Sequence, residues 1–296
     1  RPVPWWIALW TLAGACFQSK ADIPAMRPDA PELAPHAQLW LRAEDLAVKD
    51  GAQIYRWPDR SGNARDASPT LDVHTGSGTP PTFVKSSGIN GRPAVRFMKT
   101  AGLGTPGDRP LDIQGDAAYT VFVVVRLKYQ EGPGHDVILG FGEPLDAANT
   151  TAGRPGAALL EIDRTPDGRH RLDHAGGFKR DALVGRPGSF TTFYDQPQVI
   201  CLVKRPGPMR DTSSILINGE PIDRVQATGT AAVPDIRHRK DFSVILGHAH
   251  PVTGSLDGDV AEVLIYKAAL TDAQRRGVER HLMDQDRKST RLNSSH

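Results

Sequence analysis

The sequence predicts an all-β protein, a two-sheet antiparallel β-sandwich of jelly-roll type with a short C-terminal helix. Three observations carry that expectation. About a dozen short runs rich in β-branched and aromatic residues recur along the chain. Between them, 29 Gly and 24 Pro are spread through the 296 residues instead of being gathered in a low-complexity tail, as turns between short strands require. The third is the ending, Gly254-Ser-Leu-Asp-Gly-Asp-Val-Ala-Glu-Val-Leu-Ile-Tyr-Lys267, a Gly/Asp turn running into one long strand and then a helix start. Strict alternation would set Val260, Glu262, Leu264 and Tyr266 on one face of that strand and Ala261, Val263 and Ile265 on the other. Thr271 and Gln274 then have capping-box spacing.

Taken in order, residues 1–21 resemble an export signal. Arg1 precedes the apolar run Trp5–Phe17, which is too short to span a bilayer comfortably, and Ala13-Gly-Ala15 suits a signal peptidase. Leu12-Ala-Gly-Ala-Cys16 has one residue too many for a lipoprotein signal, so soluble export is favoured over a lipid anchor at Cys16. Residues 22–36 are a Pro/Ala-rich linker. The domain is expected over 37–286, as one unit of a size normal for sandwiches.

Strands are expected at Gln38–Arg42, Ile54–Trp57, Ala94–Phe97, Tyr119–Arg126, Val137–Phe141 and Ala157–Asp163. Tyr119–Arg126 is nearly continuous in apolar residues and reads as covered on both faces. Pro166-Asp-Gly168 turns a hairpin into Arg169–Asp173. Val199–Val203, Ser214–Ile217 and Pro221–Ile222 follow, the last two meeting across Asn218-Gly219-Glu220, and Ser243–Gly247 precedes the closing strand. Residues 287–296 show neither apolar periodicity nor turn logic and read as a non-native or disordered tail.

Charge excludes one class of partner. Omitting Arg1, Lys20, Arg287, Lys288 and Arg291 from the 36 basic residues leaves 31 against 34 acidic ones. The body carries about −3, which gives no basic surface for nucleic acid. No segment of the mature domain reads as a transmembrane span. Of the two cysteines, Cys201 lies in an apolar strand and is expected as a buried free thiol.

Leu39-Trp-Leu-Arg-Ala43, Trp57-Pro-Asp-Arg-Ser-Gly-Asn63, Asn90-Gly-Arg-Pro-Ala-Val-Arg-Phe97 and Tyr119-Thr-Val-Phe-Val-Val-Val125 occur in that order. Ile245-Leu-Gly247, Leu256–Tyr266 and Leu270-Thr-Asp-Ala-Gln274 complete the set. The ordered set resembles the laminin-G-like (concanavalin A-like lectin/glucanase) domains of bacterial secreted proteins. That resemblance implies a two-sheet sandwich with sugar, protein or calcium sites in loops at one edge. It also raises the family-16 glycosidase pattern Glu-x-Asp-x-x-Glu, against which Glu161-Ile-Asp163 is read. Strand alternation puts these two carboxylates on one face. The third position, 166 or 167, holds Pro166 or the turn residue Asp167, and the pattern breaks there.

Other candidate chemistry is sparser. Asp59 and Asn63 bracket one Gly turn and Asp257 and Asp259 another, the oxygen donors that calcium prefers, although each Asp also suits closure of its own turn. His248 with His250, and His170 with His174, share strand parity but lack a third ligand in sequence. Of the aromatics available as sugar platforms, Trp40, Tyr55, Trp57, Phe178, Phe190, Phe193 and Tyr194, the two Trp lie in apolar patterns and read as core, and Phe190, Phe193 and Tyr194 of a looser loop are the better ligand-binding candidates. The favoured expectation is a secreted, periplasmic or envelope-associated non-catalytic recognition domain for carbohydrate or an extracellular surface, calcium optional. The alternatives are a glycan-active hydrolase using Glu161 and Asp163, and a protein–protein adhesion module of a larger extracellular protein.

Overall fold

The computed structural model describes residues 23–69, 79–98, 101–142, 156–175, 183–225, 233–238, 240–247 and 256–293. The leader, Phe178 and the pair His248 and His250 lie outside the described residues. In chain order the strands are β1 (Ala37–Arg42), β2 (Ser68–Pro69), β3 (Thr82–Val84), β4 (Ala94–Phe97), β5 (Leu103–Pro106), β6 (Tyr119–Leu127), β7 (Gly134–Gly142) and β8 (Ala157–Arg164). They continue as β9 (Arg171–Ala175), β10 (Leu183–Gly185), β11 (Gln198–Lys204), β12 (Ser213–Ile217), β13 (Glu220–Pro221), β14 (Arg224–Val225), β15 (Phe242–Leu246) and β16 (Gly258–Tyr266). A single helical turn, α1 (Met209–Thr212), precedes β12, and α2 (Asp272–Asn293) follows β16. No helix among the described residues is long and apolar enough to cross a membrane.

Two antiparallel sheets of eight strands each form the sandwich. The first runs β13-β12-β11-β6-β16-β4-β3, with β1 paired to β16; the second runs β14-β10-β9-β8-β7-β15-β5-β2. Successive residues divide cleanly between layers. In β11, Ile200 and Leu202 enter the core between the sheets, while Val199, Cys201 and Val203 face away with Phe122 and Val124 of β6. That outer layer is closed by Val278 and Leu282 of α2. Sheet one is therefore buried on both faces, which explains why β6, β11 and β16 are nearly continuous in apolar residues. Cys201 is free and buried.

The capping box forms: Gln274 N donates to Thr271 Oγ1 at 3.3 Å, and Thr271 N donates to Gln274 Oε1 at 3.0 Å. The helix then continues to Asn293, so no break in backbone structure separates 287–293 from the domain.

Alternation along β16 departs from expectation. A register shift between Val260 and Glu262 puts two successive residues against one of β6. Val260 consequently joins Val263 and Ile265 in the inter-sheet core, and Ala261 joins Leu264 and Tyr266 in the outer layer. Ile54–Trp57 is also not a strand. It makes only bridges at its edges, Gln53 with Thr82 and Trp57 with Ala67, while Trp57 itself is core as expected.

Candidate functional site on the second sheet

The second sheet differs from the first in what its outer face carries. Leu160 and Ile162 of β8, Ile138 of β7 and Leu172 of β9 point into the inter-sheet core. By alternation Glu161 and Asp163 point the other way, as the sequence spacing requires. Register across β7, β8 and β9 sets His135 opposite Asp163, Glu161 opposite Asp173, and Asp163 opposite Arg171. Five polar side chains from three adjacent strands thus share one face. Val137 with Leu159, and Val184 with Val225, form small apolar clusters beside them.

Arg171 is the hub of this row. Its Nη2 donates to Asp163 Oδ2, and its Nε donates to Asp173 Oδ2 at 3.2 Å. Asp173 Oδ1 accepts the backbone N–H of Gly185 at 2.9 Å. His135 Nδ1 lies 3.6 Å from Asp163 Oδ1 and 4.0 Å from Glu161 Oε1. The carboxylates are recessed, with Glu161 6 %, Asp163 5 % and Asp173 1 % exposed. Burial raises the Asp173 carboxyl to about 6, against the opposing pull of Arg171.

The third carboxylate of a family-16 pattern is absent from its place on β8. Asp167 instead closes the β8–β9 turn, accepting from Thr165 Oγ1 at 2.6 Å and from Arg169 N at 3.2 Å. Asp173 is the carboxylate that stands beside Glu161, and it comes from the neighbouring strand. The hairpin at Pro166-Asp-Gly168 held the signal for it, since pairing 163 with 171 sets 161 against 173.

The other predicted residues are dispersed. Asp59 serves its own turn: Oδ1 accepts from Trp40 N at 3.0 Å and Ser61 N at 2.9 Å, and Oδ2 accepts from Arg65 N at 3.0 Å. Asn63 Nδ2 donates to the Ala37 carbonyl at 3.0 Å. Asp259 is held bidentate by Arg96 at 2.7 and 2.9 Å, and Asp257 Oδ1 lies 3.7 Å from Lys128 Nζ. Asp59 bridges Leu41, which pairs with Val263, six residues beyond Asp257, so about 20 Å of strand separates the two turns. They cannot share one ion. Among the described residues no group of three or more His, Cys, Asp or Glu side chains is arranged to hold a metal.

The expected aromatic loop turns inward. Phe190 and Tyr194 are buried, and Phe193 is partly buried against the same core. The rings pack beneath the loop because the short turn Thr191–Phe193 folds the segment back over the sandwich end. His170 and His174 belong to separate networks, His170 Nδ1 with the Tyr194 hydroxyl at 2.7 Å and His174 with Tyr119 and Ser213, both at 2.8 Å.

No family model matches this sequence, and no curated protein does. Solved structures match in fold. Domain 4 of the GH43 extracellular arabinanase of Geobacillus stearothermophilus, in complex with arabinotriose, aligns at TM-score 0.53 and 17 % identity over 82 % of this chain and 98 % of that domain. An arabinofuranosidase complexed with arabinofuranosyl-alpha-1,2-xylobiose aligns at TM-score 0.54 and 12 % identity, over 78 % of this chain and 50 % of that one. A mutant Trypanosoma rangeli sialidase displaying trans-sialidase activity aligns at TM-score 0.50 and 16 % identity, over 90 % of this chain and 36 % of that one. At these identities the likeness is one of architecture. The chain is a β-sandwich of the kind found within these three proteins.

Proposed function

We propose that the chain is a non-catalytic carbohydrate-recognition domain of an exported protein, binding sugar hydroxyls on the outer face of β7, β8 and β9. The single observation that carries this reading is the row of recessed carboxylates fixed by Arg171. Sugar recognition needs few, accurately placed acceptors and donors beside apolar surface. His135 and Arg171 supply the polar groups that reach the surface, Glu161 and Asp163 the recessed acceptors behind them, and Leu159 and Val184 the apolar edge, with Asp173 holding Arg171 in place. The sandwich architecture shared with an arabinanase domain solved with arabinotriose makes that trisaccharide a sensible first probe. Calcium is not required by this reading.

Calorimetric titration of the full chain with arabinotriose and a panel of neutral and anionic oligosaccharides tests it. Asp163→Asn and Arg171→Ala are each expected to weaken binding by at least about ten-fold, as loss of a charged hydrogen bond would. Undiminished affinity in both variants would remove the site. Absence of any glycan binding by the wild type would turn the reading to protein–protein adhesion.

One observation favours a hydrolase as the second reading. Asp173, with its carboxyl near 6, stands opposite Glu161, and a proton-donating carboxyl beside a second carboxylate is what glycoside hydrolysis uses. Against it, both Asp173 oxygens accept hydrogen bonds that hold the row together. Glycan turnover abolished by Glu161→Gln would establish the hydrolase.

A further inference from the structure

We propose that Tyr129 is a stacking platform for the apolar face of a sugar ring, a subsite at the sandwich end beside the β8–β9 turn. It rests on the carbohydrate reading above but on different residues. Tyr129 lies two residues past the end of β6 and is 46 % exposed, one of few large apolar side chains at the surface.

What sets Tyr129 apart is how its ring is held. The ring lies parallel to the His170 imidazole, with centroids 5.0 Å apart and planes within 2°. It also meets Tyr194 edge-on at 5.4 Å and 89°. His170 is itself fixed, fully buried with Nδ1 2.7 Å from the Tyr194 hydroxyl. Tyr194 packs edge-on against buried Phe190 at 5.1 Å and 89°. A ladder of four rings therefore runs from the core to solvent, and Tyr129 is its exposed rung.

An aromatic ring on a loop normally loses side-chain freedom when a ligand stacks on it. Here folding has already removed that freedom, which is the preorganisation that favours binding. The ring's electron-rich face suits the C–H groups of an uncharged pyranose or furanose. Burial holds His170 below its usual value, so the ring beneath is neutral at ordinary pH and presents no cation to the platform.

The surroundings fit a ligand edge. Gly168, at φ +73°, lies against the tyrosine: a Cβ there would sit 3.4 Å from the Tyr129 hydroxyl. The turn is thus kept free of side-chain bulk beside the ring. On either side of that glycine, Asp167 closes the turn and holds the exposed Arg169 at 2.6 Å, whose remaining guanidinium N–H groups face solvent as donors to sugar hydroxyls. His170 Nε2 is buried without a hydrogen-bond partner among the described residues, an unmet polar atom directly under the platform. The sequence singles out Phe190, Phe193 and Tyr194 as ligand-binding candidates, which the fold turns inward, and not Tyr129, the exposed ring that Tyr194 supports.

Titration of the full chain with arabinotriose and the same neutral panel, comparing wild type, Tyr129→Ala, Tyr129→Phe, Asp163→Asn and Arg171→Ala, tests the platform. Tyr129→Ala is expected to weaken binding roughly 3- to 10-fold at a temperature where calorimetry shows it still folded, and Tyr129→Phe to bind within about two-fold of wild type. Unchanged affinity in Tyr129→Ala, with loss in Asp163→Asn, overturns the platform while the sheet-face reading stands. Equal losses in Tyr129→Ala and Tyr129→Phe also overturn it, because the hydroxyl and not the ring face would then be responsible. If Tyr129→Ala loses affinity and neither Asp163→Asn nor Arg171→Ala does, the platform holds and the sheet-face site is removed. A wild type that binds no glycan removes both.

Discussion

At the scale of single residues, burial sets two groups of ionisable side chains against each other. His174 is fully enclosed by Tyr119 and Ser213, and desolvation takes its imidazole down to about 3. The folded chain then keeps it neutral where the unfolded chain, with an ordinary value near 6.5, would bind a proton. Its contribution is complete above about 6.5 and is lost as pH falls toward 3. Asp136 has the opposite sign. Burial raises it to about 6 although Arg164 Nε lies 3.0 Å from its Oδ2, and its Oδ1 has no hydrogen-bond partner among the described residues. The folded state holds that proton up to about pH 6, whereas the unfolded state releases it near 3.9, so ionisation costs stability as pH rises through this window. Asp136→Asn removes the titration. Relative to wild type it is expected to be more stable at pH 7 than at pH 4, by about 2 kcal/mol. Urea unfolding at the two pH values measures this, and an equal offset at both would show that Asp136 does not titrate abnormally.

At the scale of elements, the turn between β1 and β2 shows why an acidic cluster in sequence need not be an ion site. Asp59 is the acceptor about which this turn folds, receiving three backbone N–H groups from Trp40, Ser61 and Arg65. Its oxygens are occupied by the chain itself. Asp59→Ala is expected to destabilise the fold by about 2–3 kcal/mol, and excess chelator to leave the wild-type melting temperature where it was. A melting temperature that falls with chelator and recovers with calcium would instead make Asp59 part of an ion site. The strands around the turn were legible in the sequence because β1, β6, β8, β11 and β16 carry long apolar or alternating runs. Strands of two to four residues, such as β2, β3, β5, β10 and β14, were not. Such short pieces are defined by their partners and hold no period of their own. The bulge in β16 was hidden for the same reason, since Val260 and Ala261 are both apolar and suit either face. In the site, Glu161 and Asp163 were visible as a same-strand pair, while Asp173, Arg171 and His135 join them only through register across the hairpin.

At the scale of the whole molecule, the central strands of both sheets are buried, but the outer faces of the two sheets carry different chemistry. Sheet one lies between the inter-sheet core and α2, so both of its faces are spent on stability. Sheet two has one face in the core and the other carrying the Arg171 row. Leu282 and Val278 of α2 pack on Phe122, Cys201 and Val203, across the full sandwich from that row. Stability and recognition should therefore separate by layer. Leu282→Ala removes a fully buried side chain and is expected to cost about 2–5 kcal/mol, with a matching fall in melting temperature. Coupling across two packed sheets would need an element with two arrangements, and the continuous pairing of β11, β6 and β16 offers none. The variant, measured well below its own melting temperature, should bind oligosaccharide within about two-fold of wild type, a shift of less than about 0.5 kcal/mol. Melting by calorimetry and affinity by titration on the same preparation decide the matter. A large loss of affinity in fully folded Leu282→Ala would mean that the α2 layer helps to shape the binding face, and that recognition cannot be assigned to sheet two alone.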